Sequence, residues 1–242
     1  MTERHTALVT GGSQGIGRGI VERLSADGWR VVNLDLQRPK SVAAGEVFIE
    51  VDLAFAEATA QALAQATGQC AIDALVNNVG TVQPAPLEDM TFDELDRVVS
   101  LNLRCAIQCA QAVVPGMKER RFGRIVNISS RAALGKELRT AYAATKAGLH
   151  GITRTWALEL GRHGITVNAI GPGPIATELF ARVNPADSPR TQAIVDGVPV
   201  GRLGTPADIA HAVAYFVDPR AGFVTGQVLY VCGGMTAGVA PM

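Results

Sequence analysis

Tyr142 and Lys146 lie four residues apart in the run Tyr142-Ala-Ala-Thr-Lys146, and just upstream the apolar run Arg124-Ile-Val-Asn-Ile128 ends in Ser129 and Ser130. On a helix, residues four apart share one face, about 5–6 Å apart at Cβ. A phenol beside an ammonium gives up its proton more readily, because the cation favours phenolate. Free tyrosine titrates near ~10, so proton transfer at neutral pH asks for a drop of roughly 2–3 units, or about 3–4 kcal/mol. That is much to ask of one lysine, and a second positive charge nearby is expected to share the task. A lone Tyr-x-x-x-Lys arises often by chance, so its meaning depends on what the rest of the chain can place around it.

The first positioning element is at the N-terminal end. The strand-like run Thr6-Ala-Leu-Val-Thr10 leads directly into Gly11-Gly-Ser13-Gln14-Gly15-Ile16-Gly17, and a helical pattern follows with Ile16, Ile20, Val21 and Leu24 on one side, stopping at Gly28. Strand, glycine-rich turn and helix is the layout that aims helix-start N–H groups at a phosphate. The spacing Gly-x-x-x-Gly-x-Gly differs from the tighter G-x-G-x-x-G fingerprint. A second strand, Arg30-Val-Val-Asn-Leu34, ends at Asp35, whose carboxylate could hydrogen-bond both ribose hydroxyls of NAD and would repel the 2′-phosphate of NADP. Gln14 and Leu36 stand where a basic residue would be expected for NADP, and Arg38 is assigned to a solvated loop. NAD is therefore the expected coenzyme, and its oxidised nicotinamide would be the second positive charge beside Tyr142.

Strands are also expected at Glu46–Val51, before Asp52-Leu53, and at Ala74-Leu-Val76, before Asn77-Asn78-Val-Gly80, with an alanine-rich helix from about 54 to 67 between them. Thr91-Phe-Asp-Glu94 reads as a capping box opening one helix that runs to about Lys118, with Asn102 on its apolar side and a solvated basic end at Lys118–Arg121. The helix of Tyr142 continues through Leu149, Ile152, Trp156 and Leu160; another strand, Ile165–Ile170, precedes Gly171-Pro172-Gly173-Pro-Ile175-Ala-Thr177. From 178 to 202 the pattern is irregular, with three prolines, and suggests a lid carrying Leu179, Phe180, Val183 and Val198 over an apolar pocket. Thr205-Pro-Ala-Asp208 starts the next helix, and Gln227–Val231 is the last strand.

The 242 residues carry 22 acidic and 22 basic side chains and are 48% hydrophobic. Such a balance gives no support to a nucleic-acid or membrane-surface partner, no apolar run approaches the length of a membrane span, and the N-terminus lacks the apolar core of a signal peptide. A cytoplasmic, single-domain protein over 1–242 is expected. Cys70, Cys105, Cys109 and Cys232 form no metal-binding or redox pattern and read as small apolar residues. Alternating strands and helices around a phosphate-type loop argue for an α/β fold: a doubly wound parallel sheet, Rossmann-type, of about seven strands in the order 3-2-1-4-5-6-7, with its ligand at the strands' C-terminal edge.

Taken together, the motifs resemble the short-chain dehydrogenase/reductase family over nearly the whole chain. They are Thr10-Gly11-x-x-x-Gly15-Ile16-Gly17, Asp52-Leu53, Asn77-Asn78-x-Gly80, Asn102, Asn127-Ile-Ser-Ser130, Tyr142-x-x-x-Lys146, Asn168-x-Ile-x-Pro172-Gly173 and Gly233-Gly234. The resemblance implies hydride transfer between nicotinamide C4 and an alcohol or carbonyl carbon. Tyr142 would be general acid/base, Lys146 would lower its pKa and bind the nicotinamide ribose, serine would polarise the substrate oxygen, and Asn102 would hold a relaying water. Ile175 and Thr177 match carboxamide-contacting positions, and the family forms tetramers, sometimes dimers. Val79 and Cys232 depart from the usual alanine and aspartate. The serine register has two solutions: the strand end makes Ser130 catalytic with a loop one residue short, whereas the family's spacing counted back from Tyr142 gives Ser129. Loops absorb deletions more easily than buried strands, which favours Ser130. The expected substrate is a small to medium, largely apolar secondary alcohol or ketone. The alternatives are an NADPH-dependent 3-oxoacyl-carrier-protein reductase and, on the same fold, a non-catalytic dinucleotide sensor.

Overall fold

The computed structural model describes residues 4–185 and 187–238. Seven strands form one parallel sheet: β1 (Thr6–Thr10), β2 (Arg30–Asp35), β3 (Glu46–Glu50), β4 (Ala74–Asn77), β5 (Gly123–Ile128), β6 (Ile165–Pro172) and β7 (Val228–Val231). Their order is β3-β2-β1-β4-β5-β6-β7, as expected. Parallel strands need crossovers that cover both faces of the sheet, so their side chains on both faces are buried. β1 shows this at residue level. Ala7 and Val9 belong to the core beneath α1 (Gly15–Ala26), while Leu8 belongs to the opposite core with Leu63 and Cys109. No β1 residue is exposed.

On the Leu8 face lie α2 (Ala56–Gln69), α3 (Phe92–Val99), α4 (Cys105–Arg120) and α5 (Thr140–Leu160); on the other lie α1 and α8 (Pro206–Val217). β1 pairs with both β2 and β4, so chain order reverses between β1 and β4. At such a switch point the loops leaving the two strands diverge and open a crevice at their C-terminal ends. Gly11 follows β1 and Asn78 follows β4, placing both beside that opening.

Two local readings are corrected. The single helix expected from Thr91 to Lys118 is α3, a π turn at Ser100–Arg104 and α4. A π turn inserts one residue into the helical register, which apolar spacing alone does not reveal. By length and composition Phe92–Arg120 could cross a membrane; here it is broken by that turn and packs against α2 and α5. The stretch 178–202, read as irregular, contains α6 (Glu178–Val183) and α7 (Pro189–Asp196). The threonine and a proline mistaken for loop residues are helix starters: Thr177 Oγ1 caps Phe180 N, and Pro189 sits at the first turn of α7. The side chains of Leu179 and Val183, assigned to the lid, lie outside the described residues.

The basic end Lys118–Arg121 is not wholly solvated. Arg120 donates to Ile72 O at 2.7 Å and lies 3.5 Å from Asp73, tying the end of α4 to the entry of β4.

Candidate active site

The glycine-rich turn leaves β1 with Gly11 in the left-handed region, φ 68°, where a Cβ would be strained. Gly17 passes so close to the Gly11 carbonyl and to Asn78 Nδ2 that no side chain fits. Asn78 staples this turn: its Nδ2 donates to Thr10 O and Gly11 O, both at 2.9 Å. From the other side, Asn33 Oδ1 accepts from Gly12 N at 2.9 Å, and Asp35 Oδ2 accepts from Ser13 N at 2.9 Å. Gln14, the N-cap of α1, gives no side-chain cap, and the helix has no acid in its first turn. Thr91 and Thr205, in contrast, close the N-termini of α3 and α8 with capping boxes. The start of α1 is thus a rigid set of N–H donors at the positive end of a helix dipole, which suits a phosphate.

Asp35 also accepts from Gln37 N at 3.1 Å, and Gln14 bonds Gln37. Asp52 accepts from Ala54 N at 2.9 Å and Leu53 is buried. Ile175 is buried and pairs with Gly204, after the buried Pro172 and half-buried Gly173, while Thr177 reaches the glycine turn beside Gly15.

The second half of the site comes from β4, the π turn, β5 and α5. Lys146 is 3% exposed and its Nζ donates to Ile128 O at 2.7 Å. Burial alone pulls this ammonium down to about 8. Its Nζ lies 5.7 Å from the centre of the Tyr142 ring. Burial pushes the Tyr142 phenol above its ordinary value, opposed by the neighbouring Ser130 hydroxyl and by the charge of Arg139. Lys146 by itself does not lower the tyrosine here: the cost of burying a phenolate dominates. Gly80 completes a small cradle, since a Cβ there would stand 3.3 Å from Lys146 Nζ and 3.1 Å from Asn102 Oδ1.

The two serines diverge. Ser129 is buried and its Oγ donates to Lys146 O at 2.8 Å, with His150 Nε2 2.7 Å away. Because that hydroxyl proton is spent on the carbonyl, the imidazole must donate from Nε2. Ser130 is the serine beside Tyr142, and its Oγ also accepts from Ala132 N at 3.0 Å. Consecutive residues of an extended chain point to opposite sides, so the strand end sends one serine into the helix and the other into the crevice.

Asn102 is buried in the π turn, with both Nδ2 hydrogens and one Oδ1 lone pair engaged. Oδ1 accepts from Thr81 N at 2.7 Å, and Nδ2 donates to Thr81 O at 2.9 Å and to Thr145 Oγ1 at 3.2 Å. Thr145 Oγ1 passes its own proton to Tyr142 O at 2.9 Å. The Asn102 side chain therefore splices the π turn to the first turn of α5. Thr145, Thr81 and His150 were not legible as site residues. Thr145 falls inside the Tyr-x-x-x-Lys motif at a position read as spacer, and His150 stands one turn beyond Lys146 with no partner suggested by spacing.

The profile of a family described as enoyl-(acyl carrier protein) reductase matches residues 11–236. The chain belongs to the short-chain dehydrogenase/reductase family. Members of this family are NAD(P)-dependent oxidoreductases acting on CH–OH and C=O groups. It is 38% identical over 242 residues to (2S)-((R)-hydroxy(phenyl)methyl)succinyl-CoA dehydrogenase subunit BbsD of Thauera aromatica, covering 96% of each chain. It is 38% identical to a 3-oxoacyl-(acyl-carrier-protein) reductase of Vibrio harveyi, covering 96% of this chain and 98% of that one. A solved structure of a blue fluorescent protein from a metagenomic library, in complex with NADPH, superposes with TM-score 0.84 at 35% identity, covering 96% of this chain and 98% of the other. The glycine turn, the uncapped α1 start and the Gly80 cradle fit a nicotinamide dinucleotide.

Proposed function

We propose that the protein is an NAD-preferring dehydrogenase or ketoreductase for a secondary alcohol or ketone of small to medium, largely apolar character. The observation that carries this reading is the convergence of Ser130 and Tyr142 above the buried Lys146. When bound, the coenzyme supplies a hydride acceptor or donor at nicotinamide C4. Its diphosphate would be held by the N–H groups at Ser13–Gly17, its adenosine by Asp35, Asp52, Leu53 and Asn78, and its nicotinamide end by Gly80, Pro172, Gly173, Ile175 and Thr177.

In oxidation, Ser130 donates a hydrogen bond to the substrate oxygen while Tyr142 takes the hydroxyl proton; in reduction, Tyr142 returns it. Lys146 holds its proton below pH about 8 and presents positive charge beneath the tyrosine. Since burial favours the protonated phenol in the coenzyme-free protein, Tyr142 would act as base with the positive charge of an oxidised nicotinamide beside it. Asn102 and Thr145 keep the π turn and the first turn of α5 in register.

α6 and α7 form a lid over the pocket, with Phe180 and the buried Val198 as its apolar contribution. A single domain, assembled as a homotetramer or homodimer in the cytoplasm, completes the reading. The preference for NAD is supported by Asp35, which faces the loop through Ser13, and by the uncharged Gln14. A second reading, an NADPH-dependent 3-oxoacyl-carrier-protein reductase, is favoured by the likeness to the Vibrio harveyi enzyme. Against it, Arg120 of the basic α4 end is committed to Ile72 and Asp73, at the N-terminal entry of the central strand β4 and away from the crevice. The test is kcat/KM with NADH and NADPH across short ketones and 3-oxoacyl thioesters. A preference for ketones with NADH is expected; high turnover confined to thioesters with NADPH would overturn the first reading.

A further inference from the structure

A cavity of about 690 Å³ opens beside the glycine turn, lined by Ser13, Gln14 and Thr177 and by four cations, Arg18, Arg23, Arg38 and Lys40. Such a wall would attract an additional phosphate. Each cation, however, is engaged within the chain, Arg23 with Asp27 at 2.7 Å. Arg18 makes a two-pronged pair with Glu46, Nη1 to Oε1 at 3.1 Å and Nη2 to Oε2 at 2.9 Å. Lys40 Nζ lies 2.8 Å from Glu178 Oε1, joining the β2–β3 loop to the first turn of α6. Arg38 lies over the Phe48 ring, 5.1 Å from its centre.

The Arg18 pair is built to last. The Glu46 side chain is wholly buried. Its carboxylate also accepts from Asn33 Nδ2 at 2.9 Å and Ala43 N at 2.7 Å. Burial pushes the Glu46 carboxyl up, yet the bonds from Arg18, Ala43 and Asn33 together outweigh it and hold it below its ordinary value, so it stays ionised. Asn33 in turn holds Gly12 N and Ser13 Oγ. The glycine turn and the neutralised guanidinium therefore belong to one network, and Arg18 is directed by Glu46: its buried Nε makes no hydrogen bond of its own, although Glu22 Oε1 lies 3.3 Å away.

We propose that Glu46 and Glu178 are coenzyme-selecting residues, which cancel the charge of Arg18 and Lys40 on the wall where the 2′-phosphate of NADP would lie. The proposal rests on the reading that a nicotinamide dinucleotide binds at the glycine turn, and it moves the origin of selectivity from Asp35 alone to two carboxylates of β3 and α6. NAD presents only ribose hydroxyls there and gains little from a cation. NADP brings a dianion, which gains from every uncancelled charge and loses that gain as salt screens it.

The experiment is titration of the protein with NADH and with NADPH, read by nicotinamide fluorescence, in wild type, Glu46→Gln, Glu178→Gln and the double change Arg18→Met with Glu46→Leu. Glu46→Gln is expected to shift the ratio of the two dissociation constants toward NADPH by about tenfold, and Glu178→Gln by about threefold, the latter vanishing in high salt. The double change removes cation and carboxylate together and should keep the wild-type ratio. A loss of packing weakens both coenzymes alike; only released charge favours one. An unchanged ratio in folded Glu46→Gln, or an equal shift in the double variant, overturns the proposal. Where Glu46→Gln does not fold, Glu178→Gln decides, since its pair is exposed, and an unchanged low-salt ratio refutes it. Wild type that binds NADPH more tightly than NADH refutes the NAD preference but leaves the glutamates to be judged by the shifts.

Discussion

The two halves of the site are held together by different means. Around the glycine turn the neutral staple of Asn78 is joined by carboxylates: Glu46 with Arg18 and Asn33, Asp35 with Ser13 N. Around Tyr142 the fastening is neutral. Asn102 binds Thr81 and Thr145, Ser129 binds Lys146 O, and Asn77 passes through Asn127 to Thr153 and the Leu149 carbonyl. The charge at the centre of this second half, Lys146, is hydrogen-bonded to a backbone carbonyl, and burial alone shifts it. A charge whose work is structural is cancelled by a buried opposite charge. Lys146 is left uncancelled, and its lowered proton affinity is what the proposed chemical role would require.

The difference is tested most strongly at Tyr142. Tyr142→Phe removes the proposed proton carrier and leaves the glycine turn untouched, so kcat should fall by about 10³-fold. Coenzyme affinity, measured by fluorescence titration, should change little. A variant that loses coenzyme binding in parallel with turnover would show that the two halves are not separable.

Lys146 gives a prediction of opposite signs for stability and activity. Its ammonium is pulled from 10.5 to about 8 in the folded protein. Between these values the unfolded chain binds more protons than the native one, so stability rises with pH through that window. Below pH 8 the full cost, about 3 kcal/mol, is present. Lys146→Met should therefore raise the stability of the coenzyme-free protein toward that amount at pH 7, with the advantage shrinking as pH climbs from 8 to 10, while abolishing turnover. The raised phenol of Tyr142 acts above its ordinary value near ~10 and in the other direction, and it cancels in the difference between the two proteins. Denaturant unfolding at pH 7 and pH 10 measures both; a destabilised variant at pH 7 would mean that the lysine is better satisfied than burial implies.

The serines sharpen the comparison within one half. Ser130→Ala removes the hydroxyl facing Tyr142 and should lower kcat about 10²-fold with little loss of stability. Ser129→Ala leaves the Lys146 carbonyl and the His150 imidazole without their shared partner. It should cost about 1–2 kcal/mol of stability and a smaller share of kcat. Reversed outcomes would favour the alternative register, with Ser129 in the catalytic role.

Legibility in the chain divides along the same line. Strands, their burial and most helix starts could be read because apolar runs, glycines and caps are local patterns: Ala7, Leu8 and Val9 alternate between two cores within one strand. The Tyr-Lys spacing and the glycine turn were equally local. The fastenings were not. Glu46 finds Arg18 28 residues away, and Asn102 meets Thr145 across 43. A buried polar pair at such separation leaves no periodic trace. Asn33, a polar residue within the buried middle of β2, is a visible cue, though its partner is not. The π turn was hidden for a related reason: one inserted residue rotates the helix beyond it without changing which residues are apolar.

The smallest effects concern the helix starts, where the same contrast recurs between a cap and a binding site. Thr205 closes the N-terminus of α8 through Asp208, whereas Gln14 leaves the start of α1 uncapped. Thr205→Ala should cost about 1 kcal/mol, read in the unfolding midpoint, and leave coenzyme affinity alone. Gln14→Ser supplies the missing cap. It should stabilise the coenzyme-free protein by about 0.5 kcal/mol or less and weaken coenzyme binding, because the new hydroxyl engages N–H groups that the diphosphate would otherwise use. If Gln14→Ser instead stabilises the protein and tightens coenzyme binding together, the α1 N–H groups are not the diphosphate's donors, and the glycine turn must act through shape alone.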